Sequence, residues 1–553
     1  LKEGGKLIFI RHAYAPGGGD PENFNIYDCS TQRNLSESGR IQSRKIGNFF
    51  KENKSPQDYF LGGRSMGWLP LSLSTMATQL SAISFISAPA FVGLKNGGGL
   101  QWLTYEFGVP LAMAFLMVAL IPTLYKSGVV SVYEYLEKRF DSSSRLLISF
   151  VFQISRSVAT GVMVYTMALI LQATIQIEFW ISILIIGGIT LLYSFQGGMK
   201  AVIWGDVIQM IVLFLGILIC LGFGLNELGG IESFTSKVDK SRIDAIDFSK
   251  WGFSNSNGDD AFGFWPMVIG GIFLYASYYG TDQTQSQRLL SSKNLKTIKK
   301  LLFANAFFRF PITLTYCIMG LILGTLFSQD FSFQENLNLV YQNNIEYLDG
   351  KNADLMVPVF IIHYLPNGVI GILIVSILSA AMSSLSSTIN SLSAVSMEDF
   401  VKRFYPKISD KKYVQSSRIL SLFWGLTCLF LAFFSGKIEG TVIEVINKIG
   451  SVFFGPILGV FILAILTKKT HAIGANIGLF CGVGLNIFLW LYVPEIFWFW
   501  WNAIGCLITF GIGVLVSVLI KPITTSKEII TSSAGKREVT ILFGYFLLIV
   551  VIS

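Results

Sequence analysis

Apolar residues in this chain run on in stretches of about 20, separated by short polar, charged or glycine-rich joints. Such runs read as membrane-spanning helices, because a segment that crosses lipid must satisfy its backbone internally. Thirteen are predicted, near residues 68–93, 100–125, 145–174, 179–197, 200–225, 262–287, 300–328, 365–397, 416–436, 441–467, 473–492, 496–520 and 539–553. The last is short for a full crossing, as a truncated span would be. The first 56 residues differ in kind. They hold a short apolar strand (Leu7 to Ile10), then Arg11-His12-Ala13, a Gly/Pro turn and a polar helix from about Ser36 to Lys51. No cleavable apolar leader is visible there, which predicts that this part stays in the cytoplasm.

Composition agrees with lipid as the solvent. Of 553 residues 52% are hydrophobic and only 14% charged, with a mean hydropathy of +0.58, too little charge to cover a soluble protein of this length. The net charge of +8 does not point to nucleic acid, because the basic residues cluster in short joints. Arg64, then Lys138, Arg139 and Arg145, Lys200, Lys293 to Lys300, Lys402 to Lys412, and Lys468 and Lys469 fall on one side if the spans alternate. That side is predicted to be the cytoplasm of a multi-pass protein in the cell inner membrane, facing anionic lipid. Segment 226–261 carries Lys237, Lys240, Arg242 and Lys250 with seven acidic residues on the other side; long loops obey the charge rule poorly. Cys29, Cys220, Cys317, Cys428, Cys481 and Cys506 lack paired close spacing, and five of them sit in apolar runs. They read as packing residues rather than disulfides or metal ligands.

Within the eighth run, Ser379–Asn390 reads SAAMSSLSSTIN. Ala380, Ser383 and Ser384 lie at i, i+3 and i+4, on one face. The two hydroxyls, with the Ala380 carbonyl if the helix is distorted, offer the neutral oxygens a hard monovalent cation wants. The same small residues also permit close helix packing. Asp206, in GGMKAVIWGDVIQ (197–209), is costly inside a span unless it is paired or near an ion; a Lys or Ser partner is the alternative reading.

These stretches, with QDYFLGGRSMG (57–67), SLSTMATQLSAISFIS (72–87) and YYGTDQTQSQRLL (278–290), resemble the sodium:solute symporter family over roughly residues 57–520. The resemblance implies an all-α membrane protein whose core is a five-plus-five inverted repeat of the LeuT type, with discontinuous first and sixth helices meeting at the bilayer midplane. The core would be 57–467 and the peripheral C-terminal helices 468–553. The implied activity is sodium-coupled symport by alternating access, without enzymatic chemistry, in a monomer or weak homo-oligomer that binds no nucleic acid. Sodium would be held by the carbonyls of Ala77, Leu80 and Ala380 and the hydroxyls of Ser383 and Ser384. Asp206, Ser386 and Ser387 would hold a second ion, as in some relatives.

For the solute, polar residues able to face a central cavity are Gln79, Ser81, Ser84, Tyr105, Glu106, Tyr275, Tyr278, Asp282, Arg309 and Asn447. In sugar-carrying relatives a Tyr-Glu pair, a basic residue on the seventh helix and an amide on the tenth bind the sugar, matching Tyr105-Glu106, Arg309 and Asn447. Tyr278 matches a tyrosine beneath the sugar. Ser84 stands where those relatives place a glutamine and Tyr275 where they place an asparagine, which weakens a simple hexose. Arg156 and Arg309 offer a carboxylate clamp instead, so the solute is a sugar, a sialate or another carboxylate.

The opening stretch LIFIRHAYAPGGGDPENF…TQRNLSESGR resembles the start of a histidine phosphatase (phosphoglycerate-mutase-like) domain. His12 would be its nucleophile and Arg11 a phosphate ligand. That chemistry needs a second histidine, and the only others, His363 and His471, belong to the apolar part. Residues 1–56 are therefore expected to be a non-functional fragment, joined near Ser55–Gln57. A membrane-anchored phosphatase, or a solute sensor on the same scaffold, is the competing reading.

Overall fold

A computed structural model describes residues 56–254, 260–343, 352–433, 441–520 and 536–552, together with Glu37. The phosphatase-like stretch, with Arg11, His12 and Cys29, lies outside the described residues. The described elements are helical apart from one isolated bridge, Met66 to Ser292. We number the principal helices α1 (Trp68–Gln79), α2 (Ala82–Gly93), α3 (Leu100–Lys126), α4 (Ser142–Gln172), α5 (Phe179–Leu192), α6 (Gly198–Glu227), α7 (Phe264–Gly280) and α8 (Gln283–Leu290). They continue as α9 (Leu295–Gln329), α10 (Asn367–Phe404), α11 (Asp410–Ala432), α12 (Val442–Leu466), α13 (Ala472–Tyr492), α14 (Trp500–Leu519) and α15 (Lys536–Ile552).

Thirteen spans are predicted, whereas nine described helices are long and apolar enough to cross a membrane, or ten if the bent pair α1–α2 is one span. The difference has local causes. The predicted sixth span is cut at Thr281–Asp282 into α7 and α8, neither long enough alone. α5 is a short apolar helix, and α15 has 17 residues.

Two close contacts set the frame around the broken helices. α2 lies backbone to backbone on α9: a Cβ on Gly93 would stand 2.4 Å from the Gly320 carbonyl oxygen, and one on Gly320 2.6 Å from that of Pro89. Only glycine permits that approach. α12 contains Pro456, whose missing N–H leaves the Val452 carbonyl without its helical donor. Asn486 of α13 takes over, its Nδ2 donating to Val452 O at 3.0 Å and to Ser451 O at 3.1 Å. α13 and α14 are thereby fastened to the outside of the core. α15 joins α3 and α7 through Ile549, which packs with Leu103, Phe107, Phe264 and Val268.

Candidate functional site

Both discontinuous helices are broken by polar residues that cap their second halves. After Gln79 the chain leaves helical geometry at Leu80 (ψ 77°), and Ser81 then caps α2 by accepting from Ile83 N at 3.2 Å. The two halves meet at 54°. After Gly280 the same happens at Thr281, and the Asp282 carboxylate caps α8 by accepting from Thr284 N at 2.8 Å. Each break exposes C-terminal carbonyls of one half and N–H groups of the next. A polar site inside an apolar bundle is the result.

A cavity of about 140 Å³ lies between the two breaks. Gln79, Ser81, Ser84, Tyr105, Arg156, Tyr278, Asp282, Arg309, Ser384 and Asn447 line it, so most sequence-predicted residues come together here. Ala159, Met163, Leu274, Ile443, Ile446, Phe453 and Phe454 form its apolar side. Glu106 and Tyr275 are predicted to face the solute but stand behind the wall. Glu106 is buried and forms a bidentate pair with Arg309 (Nε to Oε2 3.1 Å, Nη2 to Oε1 2.9 Å), and Thr313 adds a hydroxyl donor at 3.0 Å. The Tyr275 ring stacks on Tyr105 at 5.6 Å.

The two arginines differ. Arg156 pairs through Nη2 with Asp282 and sits 5.2 Å above the Tyr278 ring, so its charge is already matched. Arg309, a residue of the cavity wall, is also neutralised, by Glu106, yet its Nη1 is buried without a hydrogen-bond partner among the described residues. An orphaned guanidinium N–H is costly in such a place unless a ligand acceptor takes it. Polar atoms of Gln79 and Asn447 are partly engaged: Gln79 Oε1 accepts from Tyr279 at 2.7 Å, and Asn447 Nδ2 donates to Ile443 O at 2.7 Å.

Near the residues predicted to hold sodium, α1 and α10 meet at Asp206 of α6. Ser74 of α1 and Ser383 of α10 each donate to its carboxylate at 2.5 Å. Ser384 lines the cavity beside the α1–α2 break, and its Oγ is buried without a partner among the described residues. A neutral oxygen in that condition suits a monovalent cation, and the donor set of hydroxyls and carbonyls has the hardness sodium requires. The second predicted ion position is arranged differently. Arg288 of α8 donates through Nη2 to Asp206 Oδ2 at 2.7 Å and to Ser387 Oγ at 2.5 Å, while Ser386 turns back to Ser383 O at 2.9 Å. A fixed positive charge thus already sits beside Asp206: Arg288 stands where a Lys was weighed from sequence alone, and the Ser partner weighed with it is present in Ser74 and Ser383.

Sequence reasoning missed Arg288, although it lies within YYGTDQTQSQRLL, and also Thr78, Thr160, Thr284 and Thr388, which line the cavity. The signal for Arg288 is a cation closing a polar hexad, QTQSQR, between apolar segments.

A model of the sodium:solute symporter family matches residues 59–482. The sodium/iodide cotransporter of Homo sapiens is 31% identical over 449 residues, spanning 80% of this chain and 67% of that protein. Sodium-coupled monocarboxylate transporter 2 of Mus musculus is 29% identical, spanning 85% and 72%. Sodium-dependent multivitamin transporter of Oryctolagus cuniculus is 30% identical, spanning 79% and 65%. Among solved structures, a sodium-coupled sialic acid symporter in an outward-open, substrate-bound state superposes with a TM-score of 0.74 at 25% identity, covering 87% of this chain and 95% of that one.

Proposed function

Because this chain belongs to the sodium:solute symporter family, and is therefore a multi-pass, sodium-coupled symporter rather than an enzyme, we propose that its solute is a small organic monoanion with a short apolar body. The observation that carries this is Arg309, a residue of the cavity wall whose buried Nη1 has no hydrogen-bond partner among the described residues. A carboxylate oxygen there would gain a charge-assisted hydrogen bond, while the apolar body would rest on Met163, Leu274, Ile446 and Phe453. Gln79, Ser81, Ser84, Tyr105 and Asn447 would fix orientation. The named solutes of two relatives, iodide and monocarboxylates, support an anion.

Sodium would sit among the carbonyls of Ala77, Leu80 and Ala380 and the hydroxyls of Ser383 and Ser384. The Arg288 guanidinium beside Asp206 speaks for one ion rather than two, with Asp206, Ser386 and Ser387 serving the ion pair. Sodium at the joint of α1 and α10 favours the state that shapes the solute site, and this difference in affinity between states does the coupling. The core would be 57–467 in the cytoplasmic membrane, with residues 1–56 inside the cell and 468–553 peripheral. The protein would work as a monomer or weak homo-oligomer in contact with lipid.

The test is uptake into proteoliposomes under an imposed inward sodium gradient, screened over short monocarboxylates, iodide, sialate and hexoses. Accumulation of a monocarboxylate that collapses without sodium is expected. Accumulation of hexoses alone would overturn the anion assignment.

A further inference from the structure

A second cavity lies where the end of α2, the C-terminal part of α9 and the segment joining α6 to α7 come together. Its volume is about 460 Å³, against about 140 Å³ for the central one, and no residue lines both. That is room for a molecule of drug size.

The wall of this cavity is divided. Leu94, Val238, Leu321 and Phe327 make an apolar side, while Lys237 and Arg242 bring two cations. Asp239 also lines it, but its carboxylate is already engaged. Oδ1 accepts from Ser241 N at 3.0 Å and from the Ser241 hydroxyl at 2.7 Å, and Oδ2 stands 3.8 Å from Arg242 Nε, beyond hydrogen-bond reach. Arg242 spends Nη1 on the carbonyls of Val92, Lys95 and Gly98. Burial pulls its guanidinium below the ordinary value, and Asp239 opposes this only in part. The Lys237 side chain has no partner among the described residues. The hydroxyls of Thr325 and Ser328, which line the cavity too, donate to Leu321 O and Thr325 O at 2.7 Å. What the wall still offers is positive charge beside an apolar surface.

We propose that this cavity binds an amphipathic organic monoanion, a carboxylate on an apolar body larger than the transported solute, and that its occupant slows transport. The carboxylate takes charge-assisted hydrogen bonds from Lys237 and Arg242, and the body covers Leu94, Leu321 and Phe327. The effect on transport follows from where the cavity lies. Arg242 already bonds to the carbonyls at the end of α2. Gly324, also in the wall, belongs to the close α2–α9 contact: a Cβ there would stand 2.5 Å from Gly93 O. A molecule wedged at this corner ties α2 to α9 and to the joining segment, and disfavours every state of the cycle in which they shift apart. Binding is independent of the symport reading; only the slowing rests on it.

The probe is 4-phenylbutyrate as its potassium salt, with 4-phenylbutanol as the uncharged counterpart. Each is added to the purified full-length protein in detergent without sodium, and the thermal unfolding midpoint is read. A saturable rise with the anion and none with the alcohol is expected. The rise is expected to vanish in Lys237→Glu, whose midpoint without probe stays near that of the wild type because Lys237 is exposed. It is expected to persist in Arg309→Gln with Glu106→Gln, where the solute site has lost its cation. No rise in the wild type, an equal rise with the alcohol, persistence in Lys237→Glu or loss in the double variant each overturns the proposal. In proteoliposomes the probe is expected to lower the maximal rate of sodium-driven monocarboxylate uptake about fivefold or more with KM unchanged. A raised KM at constant maximal rate puts the probe in the solute site and overturns the slowing. Absence of sodium-driven uptake in the wild type would sink the symport reading and the slowing with it, while the midpoints still decide the binding site.

Discussion

Two hydroxyls one residue apart on α10 have different occupations, and the difference sets what each does. Ser383 donates to Asp206, whereas the oxygen of Ser384, a cavity-lining residue, is buried without a partner among the described residues. Ser384→Ala is expected to raise the sodium concentration for half-maximal uptake about tenfold, as loss of one bond to a charged species implies, measured as the sodium dependence of initial rate. Arg309 calls for a paired experiment. Arg309→Gln alone strands the buried Glu106 carboxylate, at a cost of about 3–5 kcal/mol, and is expected to impair assembly of the protein. Arg309→Gln with Glu106→Gln removes that penalty; thermal stability in detergent is expected to recover while the KM for the anion stays raised about tenfold or more. If KM recovers with stability, Arg309 serves the fold and not the solute.

At the scale of elements, the segment between α6 and α7 owes part of its order to Asp260. Its carboxylate accepts from the backbone N–H of Trp251 at 2.9 Å, Phe253 at 2.7 Å and Ser254 at 2.9 Å. Slight burial opposes ionisation, but the backbone donors outweigh it and hold this carboxyl below its ordinary range. The folded pKa lies under the unfolded one, so the contribution is complete above the unfolded value, about 3.9, and is lost as pH falls through the folded value. Hydrogen-exchange protection of residues 251, 253 and 254 is expected to hold from neutral pH to about pH 4 and fall below it. Asp260→Asn should lower it throughout. Elements also mark where the sequence stopped being legible. Long apolar runs announced the spans, and Ser81 and Asp282 stood in recognisable motifs. α8 was partly covered by a predicted span, but its polar residues gave no sign of burial, because partners that satisfy them are on α10, about 100 residues away. Asp206 could be suspected of needing a partner; that the partner is Arg288, 82 residues on, is a fact of tertiary packing that no local pattern carries.

Over the whole molecule, what counts for transport is that the buried charges at the cavity and at Asp206 come in matched pairs: Asp206 with Arg288, Asp282 with Arg156, Glu106 with Arg309. A cavity neutral before loading stays neutral if one sodium and one monoanion enter together. Moving a net charge would couple the cycle to voltage by about 2.3 kcal/mol per 100 mV, but this stoichiometry moves none. Uptake is therefore expected to be insensitive to a potassium diffusion potential imposed with valinomycin at fixed sodium gradient; stimulation by an inside-negative potential would require a second ion. One contact on the far side of the molecule has its own consequence. Arg242, in the segment that joins α6 to α7, donates to the carbonyls of Val92 and Lys95 at 3.0 Å and of Gly98 at 3.3 Å. That segment therefore grips the end of the half-helix α2, and an antibody fragment that clamps it should act as a brake on transport without entering the pore.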